Sequence, residues 1–122
     1  MQFTKKKRDV VIDIEEGIAL VGDLETYLSI VADYMQLTAI TVQELQAAWA
    51  SGDLDLLKLK AHSVKGAAGN LCIHRMKNVS AELETAARER KEDAIPQLIQ
   101  QTQAEFAALQ EYLRESVPEF KP

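Results

Sequence analysis

One short stretch, "KAHSVKGAAGN" from Lys60 to Asn70, gathers residue types that can do chemistry. His62 carries a ring nitrogen that is a competent nucleophile near neutral pH, because an unperturbed imidazole titrates at about 6.5. Lys65 follows three residues later, the spacing at which helical side chains share a face, so its ammonium can reach a group attached to the ring. Gly66 and Gly69 stand one turn and two turns after His62, although each glycine costs about 1 kcal/mol relative to alanine in a helix interior. Phosphoryl transfer needs in-line access to the nucleophile and positive charge near the equatorial oxygens, and little further machinery.

The helical wheel gives the glycines a purpose. At about 100° per residue, Leu57, Val64, Ala68 and Leu71 fall within about 60° of the pole opposite His62, flanked by Ala61 and Ala67. That apolar set predicts a buried face and an outward His62. Lys60 lies toward the buried side and must extend along an edge between helices. Asp55, Lys58, Lys65, Gly66 and Gly69 share the His62 side. Glycine there gives the core nothing but keeps the surface beside the ring shallow, so that another protein's backbone can approach.

The elements that must position this face are helical, since apolar residues recur at helical spacing and no stretch alternates long enough for a strand. Asp13 can cap a short first helix that Gly22 ends. Asp23 caps a long second helix with Leu24, Leu28, Val31, Met35, Thr38, Val42, Leu45 and Trp49 as its seam. Ser51-Gly52 breaks it, and Asp53 caps a third helix from about Leu54 to Leu71. A fourth runs from about His74 to Arg90, with Met76, Val79, Leu83, Ala86 and Ala87 inward. Asp93 can cap a fifth, where Pro96 is tolerable in the first turn. Its buried stripe is Ile95, Leu98, Ile99, Thr102, Phe106, Leu109 and Leu113, and Pro118 closes it. The expected fold is all-α: an up-down-up-down four-helix bundle with a short additional N-terminal helix. A flexible basic tail over 1–9, containing Lys5-Lys6-Lys7-Arg8, precedes a domain at 10–117, and 118–122 form a C-terminal tail.

Composition narrows the function classes. The 122 residues suit one domain, and a net charge of -5 argues against nucleic acid as the partner. A single cysteine excludes an internal disulfide and fits a reducing compartment. No apolar run reaches the length of a membrane span, and the N-terminus lacks a signal-peptide core. The expectation is a cytoplasmic, membrane-free, monomeric protein, with the initial Met and short ends favouring a free-standing chain.

The residues His62-Ser63-Val64-Lys65-Gly66-Ala67-Ala68, with Ala61 before them, resemble the motif of the histidine-containing phosphotransfer (HPt) domains of multistep phosphorelays. The pattern there is His, any residue, a large aliphatic, Lys, Gly, a small residue, Ala. The upstream "GIALVGDLETYLSIV" is similar to the family's entry segment, and the likeness in helix number, order and length runs from about Val10 to Ser116. The resemblance implies that His62 accepts a phosphoryl group from the aspartate of one response-regulator receiver domain and passes it to another. Lys65 would stabilise the phosphoryl oxygens, and Gly66 would leave room for the incoming loop. Gly69 joins it on the wheel argument, with Lys58 on the polar rim of the approach surface. Such domains have no kinase or phosphatase activity of their own, bind no cofactor, and leave Mg²⁺ to the receiver. The implied partners are receiver domains, a hybrid sensor histidine kinase, or both. Cys72 departs from the glycine common at that position, and the wheel predicts it partly buried at the side of the helix end.

Three other functions compete: a phosphorylation-independent adaptor that docks receivers, a domain phosphorylated directly by a histidine kinase, and a hydrolase using His62 or Ser63. The hydrolase lacks a base, an orienting acid and an oxyanion pocket at suitable spacing. The adaptor should tolerate loss of His62 or Lys65, yet both are present. His74, the rival acceptor, has neither a lysine three residues on nor a glycine floor, so a structural role is expected. No Cys or carboxylate cluster accompanies the two histidines in sequence, so no metal is expected. A mostly apolar ring around His62 should dock the partner, with contributions from the first helix and the start of the second.

Overall fold

The computed structural model describes residues 10–117. The two expected tails, the basic cluster and Pro118 lie outside the described residues. Five α-helices follow one another: α1 (Ile14–Val21), α2 (Leu24–Ala50), α3 (Leu54–Asn70), α4 (His74–Arg88) and α5 (Ile95–Ser116), with a 3-10 turn, Glu92–Ala94, before the last. Three begin on an aspartate, as the sequence predicts. Asp13, Asp23 and Asp53 accept hydrogen bonds from the Glu16, Thr26 and Leu56 amides at 3.0, 2.8 and 2.9 Å. Each bond satisfies an amide that has no helical acceptor.

Each long helix packs on its sequence neighbours, α5 closes on α2, and α1 lies against α2. This is the expected up-down-up-down bundle with a short extra helix. The α3–α4 pair makes the most extensive contact, because Ala61 and Ala68 on one side and Ser80, Ala86 and Ala87 on the other are small and buried. The core has two halves. Tyr27, Val31, Met35, Val64, Met76, Phe106 and Leu113 fill the end beneath α1. Leu45, Leu54, Leu57, Leu83, Ile95 and Ile99 fill the other.

Four details differ from the sequence expectation. Leu24 is exposed, while Tyr27, Tyr34 and Ala48 are buried on α2; the helix meets α1 as well as its bundle neighbours, so its apolar stripe is wider than a narrow seam. Asp93 does not cap α5: it lies in the 3-10 turn, and Ala94 occupies the cap position without a side-chain bond. α4 stops at Arg88, and Arg90 adopts a φ of 56° in the turn that follows. Cys72 is fully buried and beyond the end of α3, with a φ of 63°. That left-handed conformation costs an L-residue roughly 1–2 kcal/mol, and it is the physical reason a glycine suits this place.

The glycine that packing demands is Gly17, which the sequence did not single out. It is buried on α1 directly over Tyr27, and a Cβ there would overlap the tyrosine ring. The ring passes beneath the helix and donates its hydroxyl to the Leu71 carbonyl at 2.6 Å. Backbone bonds from Asp13 N to Cys72 O (2.9 Å) and from Arg75 N to Val10 O (3.2 Å) tie the segment around α1 to the α3–α4 turn.

Candidate functional site

His62 projects from the middle of α3 with 60% of its side chain exposed. Leu57, Ala61, Val64, Ala68 and Leu71 are all buried behind it, so the wheel placed the ring correctly. Lys60 runs to the edge of the helix pair and binds Glu44 at 3.1 Å. Gly66 faces open space, with nothing within 4 Å of a Cβ built on it. Gly69 is less open: a Cβ there would rest against the aliphatic stem of Lys77 at 3.5 Å. Lys58 is half-buried on the same helix.

The residue that organises the site is Glu84 on α4, absent from the sequence expectation. Its carboxylate is held by two groups from α3: Lys65 Nζ donates to Oε1 at 2.5 Å and His62 Nδ1 lies 2.8 Å from Oε2. Burial pushes its carboxyl up, but the hydrogen bonds from Lys65 and then His62 outweigh burial and hold it below its ordinary value of 4.5. The group is therefore an ionised acceptor at neutral pH. An acceptor-only partner requires Nδ1 to carry a proton, and in the neutral ring that tautomer has its free lone pair on Nε2. With the Nδ1 edge turned to Glu84, Nε2 is the nitrogen left to face an incoming group.

A sequence signal for Glu84 exists. Ser80, Leu83, Glu84 and Ala87 follow the i, i+3, i+4, i+7 spacing of an inward helical face, and all four are buried. A carboxylate at an inward position must find cations or donors. Lys65 and His62 are those groups.

His74 is placed differently. Its Nε2 lies 3.0 Å from Glu16 Oε1, and only 17% of its side chain is exposed. Contrary to the expectation that no carboxylates accompany the histidines, the fold gathers Asp13, Glu16 and His74, whose ligand atoms lie within 4.8 Å of one another. Asp13 is already committed to the α1 cap. The geometry gives His74 a structural task, joining α1 to the start of α4.

The exposed apolar surface of the bundle is lopsided. Leu20, Leu24, Ile30, Leu37, Ile40, Leu56 and Leu59 on α1–α3 are exposed, whereas Tyr112 is the large exposed apolar residue described on α4 and α5. Between α2 and α3 lies a groove of about 290 Å³ lined by Ile30, Tyr34, Leu37, Ser63, Val64 and Ala67. Ser63 places it directly beside His62. On the other flank α4 supplies the charged wall.

The family model described as Hpt domain matches residues 29–112, most of the chain. No curated protein and no solved structure matches it. The chain belongs to the Hpt domain family, whose members are histidine phosphotransfer modules of phosphorelays rather than autonomous enzymes. The matched stretch begins within α2 and is shorter than the likeness read from the sequence, which reached back to Val10. Among the described residues, no helix is long and apolar enough to cross a membrane.

Proposed function

We propose that the protein is a phosphorelay intermediate: His62 Nε2 takes a phosphoryl group from the aspartyl phosphate of one receiver domain and yields it to the aspartate of another. The observation that carries this reading is the exposed ring whose Nδ1 is engaged by the buried Glu84 while Lys65 stands on the same carboxylate. That arrangement presents one nucleophilic nitrogen in a fixed orientation beside a positive charge. Lys65 neutralises the phosphoryl oxygens, and Gly66 supplies the clearance a receiver loop requires.

The partner docks on the apolar side of His62, over Leu37, Leu59 and the groove between α2 and α3, with Lys58 and Lys65 on the rim. Such a contact suits a transient complex, since one receiver must leave before the next arrives. Mg²⁺ belongs to the receiver in this scheme, and the chain acts in the cytoplasm without a cofactor of its own.

The test is phosphotransfer from a panel of phosphorylated receivers to wild-type protein and to His62→Gln, read by intact mass and acid lability. An acid-labile phosphoryl group on the wild type alone supports the reading. Transfer that persists in His62→Gln moves the acceptor to His74, and no transfer to a folded wild type favours an adaptor.

A further inference from the structure

The end of the bundle beneath α1 holds a second group of ionisable side chains, which phosphoryl transfer does not use. Asp13 precedes α1, Glu16 stands in its first turn and His74 opens α4, yet one ligand atom from each lies within 4.8 Å of the others. His74 Nε2 and Glu16 Oε1 are 3.0 Å apart. Two atoms on one tetrahedral zinc ion, each bonded at about 2.0–2.1 Å, stand roughly 3.3 Å from one another. The pair therefore already has nearly the spacing of two ligands, and the third lies within reach of a rotation of the Asp13 side chain.

Three features separate this cluster from carboxylates that meet by chance. It includes an imidazole from another helix, and one nitrogen with two oxygens suits zinc better than magnesium or calcium, which favour oxygen throughout. Its members come from segments already fastened together, since Asp13 N bonds to Cys72 O at 2.9 Å and Arg75 N to Val10 O at 3.2 Å. Ligation would order little that the fold has not ordered. All three residues are partly buried, with 17% of the His74 side chain and 26% of the Glu16 side chain exposed. An ion there has access to solvent and can keep a water in its fourth position. The helix cap is compatible with ligation: Asp13 Oδ1 accepts the Glu16 amide at 3.0 Å, and a carboxylate has lone pairs on both oxygens.

We propose that Asp13, Glu16 and His74 form a structural site for a divalent ion of the zinc class, which clamps α1 to the α3–α4 turn. Binding through Nε2 takes the His74 ring with its proton on Nδ1, and the hydrogen bond to Glu16 gives way to shared ligation. The site does not include His62, so the proposal stands apart from the relay reading.

The test adds Zn²⁺ to the metal-free whole chain and follows binding by calorimetry and stability by thermal melting. The sequence has two histidines, so single variants tell the two rings apart. Wild type should bind an ion here, and about 0.1 mM Zn²⁺ should raise its melting temperature by about 3 °C or more. His74→Gln should weaken binding by about tenfold or more and lose the shift. Asp13→Asn, which keeps an acceptor for the α1 cap, should weaken binding likewise with the fold intact. His62→Gln should respond as wild type does. No binding by the wild type, or a shift undiminished in His74→Gln and Asp13→Asn, would overturn the proposal. Binding lost in His62→Gln alone would overturn it too, by assigning the ion to the exposed ring.

Discussion

The chain contains two histidines, and the fold gives each a glutamate at hydrogen-bond distance from another helix: His62 with Glu84, and His74 with Glu16. The pairs are chemically alike and built in opposite senses. At the first, the ring is 60% exposed and the carboxylate 11%; at the second, the ring is 17% exposed and the carboxylate 26%. The first bond uses Nδ1 and leaves Nε2 for an incoming group, whereas the second consumes Nε2 itself. A lysine shares the first carboxylate, while an aspartate stands beside the second pair. A histidine–carboxylate bond is therefore no signature of chemistry by itself. What matters is which partner the fold hides, which nitrogen it leaves, and what charge stands alongside.

The sharpest way to break this contrast is to exchange the fates of the two rings. His62→Gln should abolish phosphoryl acceptance with the bundle still folded, and His74→Gln should retain it, both read by intact mass after incubation with a phosphorylated receiver. Equal loss in the two variants would erase the distinction. Next in size is a pair of glycines. Gly17→Leu should destabilise the fold by about 2–3 kcal/mol in a denaturant titration, because α1 cannot stay seated over Tyr27. Gly66→Leu should leave stability near wild type but slow transfer by about tenfold or more, since misplacing the reacting groups is expensive. His74→Ala should cost about 1–2 kcal/mol through the lost Glu16 bond, with transfer rates unchanged.

The smallest effect concerns acid stability. The Glu84 carboxyl titrates below its ordinary value of 4.5 in the folded state. A depressed carboxylate contributes stability that is complete above the unfolded value and is lost as pH falls through the folded one. Wild-type protein should therefore lose stability below about pH 4.5, and Glu84→Gln should show a shallower acid limb in thermal melts over that window. An identical slope would mean that Lys65 and His62 do not hold the carboxylate in solution.

Helix order, three aspartate caps and the outward face of α3 were legible in the sequence because each depends on local spacing. The wheel that set His62 opposite Leu57, Val64 and Leu71 needed only helical periodicity. Glu84 was not legible in the same way: its partners lie on another helix, and only the register between α3 and α4 brings them together. Gly17 was missed for a related reason, since its necessity comes from a tyrosine on the next helix rather than from its own turn. Cys72 shows the limit of the wheel, which assumes that the helix continues. The chain leaves α3 at Asn70, and the left-handed turn carries the thiol into the core.

The stitching around the α3–α4 turn bears on where a shortened version of this domain can begin. Tyr27 reaches the Leu71 carbonyl beneath Gly17, and the backbone at Val10 and Asp13 bonds to Arg75 and Cys72. A fragment starting at Ser29, where the family match starts, would leave that carbonyl without its Tyr27 partner. The packing of the described residues thus extends upstream of the recognisable motif region, and deletion libraries should show a sharp fall in soluble yield once trimming passes Val10.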